Sequence, residues 1–314
     1  MELKNGLTVS YNSGRVIKVG DDGYHENFGF QWNLFNKLQL DSYNGSTESF
    51  DRLLDQSDLN PDEFKNKIIL EVGAGSGRFT EVLLSLGAKV IAVDYSSAIN
   101  ANFQNNLEFV DNQKLICVQS DLFEMPVQEN FFDMVICYGV IQHTGRNMDS
   151  LNHLTKFVKQ DGYLLVDIYS NSIRHLNPWI YAIRPFFFLV KDNKKKLNLV
   201  KKFVNFMFPI QLYLIKKVFN KGGIYKYIRY FLYRSPNSVY GINLYLSGKI
   251  SLDIAKEWDI LNTFDAWMPQ HDHPVSFKKW SKMIQEVVKR KSFDIVSMKE
   301  CGQGNCATLK LRNN

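Results

Sequence analysis

Two rhythms of apolar and polar positions alternate along this chain. Short apolar runs at Ile68–Val72, Val90–Val93, Lys114–Ser120, Phe132–Tyr138 and Gly162–Tyr169 read as buried strands. Between them lie stretches with helical spacing. Phe79–Leu86 is stopped by Gly87, a helix capped by Ser96-Ser97 runs to about Leu107, and another covers about Met148–Val158. That succession predicts an α/β fold built on parallel strands. Ahead of it, Leu7–Val19 reads as a hairpin around Asn12-Ser13-Gly14, and Ser49–Leu59 as a helix.

The candidate chemistry sits at the carboxyl ends of the first two core strands. Ile68–Val72 contains one acid, Glu71, and is followed by Gly73, Ala74, Gly75 and Gly77. The next strand ends on Asp94. A glycine turn at this edge lets backbone approach a ligand that a Cβ would block, and in open α/β sheets this edge is where ligands bind. An acid ending the second strand can accept both hydroxyls of a ribose. The dinucleotide fingerprint requires glycine at position 78, where this chain has Arg78, which argues against a pyrophosphate cradle.

The pattern E-x-G-x-G-x-G with Asp94 resembles motifs I and II of the class I S-adenosylmethionine (SAM)-dependent methyltransferases. The resemblance implies a Rossmann-like, mostly parallel seven-stranded sheet with helices on both faces. Its last two strands fit Phe293–Lys299 and Ala307–Arg312, after a helix from about Ser276 to Lys289. The cofactor it implies is SAM. The cofactor-binding set it implies is Glu71, Gly73, Ala74, Gly75, Gly77, Asp94, Tyr95, Asp121, Leu122, Tyr138 and Trp32. Within that set Asp94 takes the ribose, Asp121 with Leu122 holds the adenine, and Glu71 bonds the glycine-loop amides or orients the methionine amine. The alternative for Glu71 is a strand acid satisfied locally. For an acceptor that must lose a proton, His143 is the leading base candidate, because it follows the strand that borders donor and acceptor in the family. His271 and His273, in a polar cluster with Asp265 and Asp272, are the other base candidates. Packing against SAM or capping the next helix is the alternative for His143.

The arrangement F-G-x-Q-W-x-x-F at Phe28–Phe35 looks like the N-terminal segment of a bacterial subgroup of these enzymes, whose members often occur with genes for surface polysaccharide or lipid-linked glycan. It implies either a lid over the methionine end of SAM or simple packing on the sheet edge.

Composition changes the picture in one region. With 45% hydrophobic and 22% charged residues and a net charge of +6, the 314-residue chain reads as a soluble globular protein. Its charge is concentrated, however: residues 171–250 hold fifteen lysines and arginines against one acid, Asp192, a net +14, together with seventeen aromatics. Leu197, Val200, Val204 and Met207 fall on one helical face with Lys195 and Lys202 roughly opposite. That pattern fits an in-plane membrane helix, a helical cap with solvated lysines, or a nucleic-acid footprint. The expected division is an N-terminal hairpin and lid segment (1–59), a SAM-binding core (60–170), a helical basic aromatic insertion (171–262) and the C-terminal part of the core (263–314).

Cys117 and Cys137 fall in strands and are expected as buried thiols, whereas Cys301 and Cys306 lack a second pair for zinc. No metal and no disulfide framework are expected. The start MELKNG carries no signal-peptide pattern and no run of about 18 apolar residues occurs. The expected place is the cytoplasm, peripherally at the inner face of the membrane if residues 174–249 dock there. The expected function is methyl transfer to a hydroxyl or amine of a small molecule, a sugar or lipid-linked glycan. The alternatives are a nucleic-acid methyltransferase and a non-catalytic SAM-binding protein. Cys137-Tyr138-Gly139-Val140 is not the pattern of amino-methylating DNA enzymes, and a non-catalytic protein would have a degraded glycine loop. The motifs do not indicate an oligomeric state.

Overall fold

A computed structural model of the chain describes residues 16–18, 29, 31, 33–171, 177–268, 273–302 and 304–313. Two compact units result. The first draws its described residues from Met1–Asn36, Ser49–His175 and His271–Asn314, and the second from Lys37–Glu48 and Leu176–Gln270.

The first unit is organised by one sheet. Its strands are β1 (Ile17–Lys18), β2 (Ile68–Val72), β3 (Lys89–Asp94), β4 (Leu115–Gln119), β5 (Phe132–Cys137), β6 (Val158–Tyr169), β7 (Phe293–Cys301) and β8 (Gly304–Leu311). Their order across the sheet is β1-β4-β3-β2-β5-β6-β8-β7. β1 to β6 pair in parallel and β8 runs antiparallel to β6 and β7. Apart from the two-residue β1 at the edge, this is the seven-stranded, mostly parallel, Rossmann-like class I methyltransferase fold. The expected hairpin at Leu7–Val19 lies mostly outside the described residues. Its described part, Ile17–Lys18, forms a parallel pair with Val118–Gln119.

Both faces of the sheet are covered, so the strands read as nearly continuous apolar runs. Alternation decides which side each residue meets. Leu70, Val72, Val93, Val135 and Val166 pack with Trp280 and Ile284 of helix Phe277–Lys291. Ile69, Val90, Ala92, Met134 and Leu165 pack with Leu53, Val82 and Leu83 on the opposite face. Glu71 and Asp167 belong by this alternation to the second face, and both are buried there.

Cys301 and Cys306 form a disulfide with a Cα–Cα distance of 6.2 Å, which corrects the expectation of no disulfide. The reason lies in the register. Cys301 is opposite Gly304, so Cys306 is its diagonal neighbour on the same face of the β7–β8 hairpin.

The second unit is helical, with Pro178–Phe188, Asn193–Val218, Tyr225–Leu232, Tyr240–Leu246 and Leu252–Trp267. Leu197, Val200 and Val204 are buried, so this apolar face packs in the unit's own core, as the helical-cap alternative has it. Phe187 lies edge-on to Trp267 at 5.4 Å within it. Asp259, fully buried, accepts hydrogen bonds from the Gly241 and Ile242 amides at 2.7 and 3.2 Å and from the Ser238 hydroxyl at 3.0 Å, capping the N-terminal end of helix Tyr240–Leu246. A Cβ on Gly241 would fall 2.0 Å from the Ala255 carbonyl oxygen, so glycine sets how closely these two helices approach. Among the described residues no helix is long and apolar enough to cross a membrane.

Candidate functional site

The crevice is built at the carboxyl ends of β2, β3 and β5. After Val72 the chain turns through three glycines with left-handed φ: 76° at Gly73, 53° at Gly75 and 99° at Gly77. The Gly73 and Ala74 amides donate to the Val93 carbonyl at 2.7 and 3.1 Å, which ties the turn to the next strand. The three positions differ in what surrounds them. A Cβ on Gly73 would fall 2.0 Å from Val140 Cγ2, and one on Gly77 would fall 2.7 Å from the Asn102 side-chain oxygen. A Cβ on Gly75 would meet nothing within 4 Å, nor would one on Gly139, whose φ is 74°. Gly73 and Gly77 are packing positions, whereas Gly75 faces open space.

Asp94 frames that space. Its Oδ2 accepts the Gly75 amide at 2.8 Å, and its Oδ1 accepts the Ser96 amide and hydroxyl at 2.8 and 2.7 Å. A carboxylate offers about four lone-pair positions, so one remains for a further donor. Burial pushes its carboxyl above the usual range, opposed by the Ser96 and Gly75 hydrogen bonds. Tyr95 follows, partly exposed, and its carbonyl accepts from the Gln119 side chain at 3.2 Å. Asp121 lies one turn away: the Ser120 amide donates to the Asp94 carbonyl at 3.0 Å, and Asp121 Oδ1 caps the Phe123 amide at 2.7 Å beside buried Leu122.

Glu71 does not bond the loop amides. Because it shares the Ile69 face, it meets helix Arg78–Ser85, where the Thr80 hydroxyl donates to its Oε2 at 2.5 Å. Asn102 in turn donates to Thr80 Oγ1 at 2.8 Å. Burial raises the Glu71 pKa to about 8, only partly offset by the Thr80 hydrogen bond.

The second group of side chains surrounds the end of β5. Tyr138 is buried edge-on to Phe79 at 5.6 Å, and its hydroxyl has no partner among the described residues. The Gly139 amide donates to Asp167 Oδ1 at 2.5 Å. His143 ends a 3-10 turn, Ile141–His143, with its ring edge-on to Tyr169 at 5.6 Å. The histidine segments meet through backbone: the His273 amide donates to the Gln142 carbonyl at 2.9 Å, and the Asn147 side chain donates to the His273 carbonyl at 3.0 Å. His271 and Trp32 lie outside the described residues. On either side of Trp32, Gln31 is buried and the Asn33 side chain donates to Ser97 Oγ at 3.1 Å, next to the end of β3. Among the described residues no group of three His, Cys, Asp or Glu could hold a metal.

The sequence reading passed over Asp167 and its partners. Asp167 lies on the face covered by helix Glu48–Ser57, from which Arg52 approaches to 3.7 Å and Gln56 donates at 3.4 Å. Burial raises its carboxyl and the Arg52 charge opposes that shift. The signal was a lone acid inside the apolar run GYLLVDIY; nothing marked Arg52 as its partner.

A glycine turn open at Gly75 is held by the strand-end carboxylate of Asp94, and an orphaned buried phenol, Tyr138, follows the end of β5. The comparisons with known proteins agree at the level of the domain. Residues 70–166 match the methyltransferase domain family. That domain marks SAM as the cofactor, and the residues present fit it: the space at Gly75 and the free capacity on Asp94 are what an adenosyl ligand needs.

Curated relatives include the tRNA U34 carboxymethyltransferase of Helicobacter pylori strain Shi470, 26% identical over 42% of this chain and 50% of that one. Another is the mitochondrial ubiquinone biosynthesis O-methyltransferase of Schizosaccharomyces pombe, 34% identical over 35% of this chain and 40% of that one. The chain thus spans half or less of the length of these relatives. Among solved structures, magnesium protoporphyrin IX methyltransferase from Synechocystis PCC 6803 with bound SAH aligns over 93% of this chain and 90% of that chain, at 13% identity and a TM-score of 0.42.

Proposed function

We propose that this protein transfers a methyl group from SAM to a hydroxyl or amine of a small molecule, with a sugar or lipid-linked glycan as acceptor. The single observation that carries the cofactor half is Gly75, a left-handed glycine facing open space while its amide is held by Asp94. The acceptor half rests on the resemblance of the N-terminal segment.

In this reading bound SAM supplies a methyl carbon activated by its sulfonium, open to in-line displacement. The chain supplies position. Backbone at Gly73, Ala74, Gly75 and Gly77 takes the methionine and ribose, and Asp94 with Tyr95 fixes the ribose hydroxyls. Asp121 and Leu122 hold the adenine, while Tyr138 and Trp32 close on the methionine end. Glu71, reached through Thr80, sets the charge beneath the methionine amine. His143 takes the acceptor proton, with His273 and His271 as the other candidate bases. Asp167 holds the Gly139 amide and so fixes the start of the His143 segment.

A second reading, methylation of RNA, has one observation in its favour: residues 177–249 carry fourteen lysines and arginines against Asp192 alone, interleaved with aromatics. Two measurements separate these outcomes. Thermal shift with SAM and with S-adenosylhomocysteine should stabilise the protein, and no shift removes both enzyme readings. Methyl-tritiated SAM incubated with fractionated bacterial extract should label the glycan or lipid fraction. Label confined to RNA would replace the first acceptor class with the second.

A further inference from the structure

Helix Tyr225–Leu232 is amphipathic and has no buried residue. Ile224, Tyr227, Ile228 and Phe231, spaced at i, i+3, i+4 and i+7, form one apolar face. Those four residues are 71%, 69%, 42% and 73% exposed. A helix that packs on its own protein turns this face inward. Here the residue that leans on the neighbouring helix is Arg229, half-buried, whose guanidinium lies 3.5 Å from the Val218 carbonyl. The apolar face is turned away from the protein.

The neighbouring surface repeats the pattern. On helix Asn193–Val218, the buried face uses Leu197, Val200 and Val204, while Phe206, Ile210 and Tyr213 form an exposed stripe. Cations stand directly on the exposed rings. Lys217 Nζ is 4.2 Å from the Tyr213 ring centre, Lys221 Nζ is 4.9 Å from that of Tyr225, and the Arg234 guanidinium is 4.1 Å from that of Tyr230.

We propose that this face docks on the surface of an anionic lipid bilayer, with helix Tyr225–Leu232 lying in the headgroup plane and Ile224, Tyr227, Ile228 and Phe231 inserted between headgroups. Two features select this occupant. A second copy of the chain would set one strongly basic surface against another, since residues 177–249 hold fourteen positive side chains and one negative. Nucleic acid would satisfy the charge but has no place for exposed isoleucines, whereas acyl chains take them. An anionic leaflet satisfies both requirements, with each cation near the surface strengthening docking roughly fivefold. The inference does not depend on the methyltransferase reading.

The test uses the full-length protein and large unilamellar vesicles of phosphatidylcholine alone or with about 30% phosphatidylglycerol. Co-flotation is expected with the anionic vesicles only. Tyr227→Ser with Phe231→Ser should weaken the partition at least tenfold, and Lys221→Ser with Lys226→Ser should weaken it roughly 25-fold at low salt. All four side chains are exposed, so circular dichroism and the thermal shift with S-adenosylhomocysteine should match the parent protein. Equal binding to neutral vesicles, no binding, or binding unchanged in both double variants overturns the proposal. So does light scattering that finds a dimer lost on Tyr227→Ser with Phe231→Ser while vesicles are ignored, since this face would then join two copies. Salt-sensitive retention of RNA without vesicle binding overturns it as well.

Discussion

Gly75, in the turn, and Glu71, in the strand before it, do different work, and each makes a prediction. Gly75→Ala meets no atom of the protein, so only the left-handed backbone opposes it, a cost of about 1–2 kcal/mol. The variant should fold, melt a few degrees lower, and lose the S-adenosylhomocysteine thermal shift because its methyl group occupies the ligand's space. Retention of the shift would place the ligand elsewhere. Gly73→Ala, by contrast, collides with Val140 and should lower soluble yield. Glu71 predicts a pH effect. Its folded pKa, about 8, lies above the unfolded value, so its favourable contribution is complete below about pH 4.5 and drains away as pH rises to 8. Glu71→Gln should therefore flatten the decline of melting temperature between pH 5 and 8, and an unchanged slope would show that Glu71 is ionised in the native state. The glycines and both strand-end acids were legible in the sequence because a turn and a strand end have local signatures. Thr80 as the partner of Glu71 was not. That pairing depends on which face of β2 the acid occupies and on the helix that returns over it.

Elements were easier to read than their partners. The strands and the helix before β7 fell close to their expected places because buried parallel strands are long apolar runs. The β7–β8 disulfide was missed because two cysteines five residues apart reveal a pair only once the hairpin register is known. Replacing Cys301 and Cys306 with serine should cost about 2 kcal/mol, the loop-closure value for so short a loop, read as a lower melting temperature with unchanged cofactor binding. Periodicity correctly gave the apolar face of helix Asn193–Val218, but periodicity reports only that a face is covered, not by what. The covering is helix Leu252–Trp267 and its neighbours, and the exposed stripe beside it went unseen. In the same unit Asp259, on helix Leu252–Trp267, caps the first turn of helix Tyr240–Leu246. Asp259→Ala would strand two amides and a hydroxyl, and should destabilise this unit by about 2–4 kcal/mol in urea unfolding.

For the molecule as a whole, ligand capture is linked to stability. A ligand at a hundred times its dissociation constant adds about 2.7 kcal/mol, enough to raise the melting temperature by a few degrees. The bond between Thr80 and Glu71 adds a less visible linkage. With the crevice empty, an acid whose pKa is about 8 keeps its hydrogen at neutral pH. Under the proposed function an amine cation would come to rest above Glu71 and favour its ionised form, and the hydrogen would then leave for solvent as the cofactor enters. Calorimetric titrations in Tris and in phosphate would then report different apparent heats for the same affinity, and the difference would count the hydrogens released.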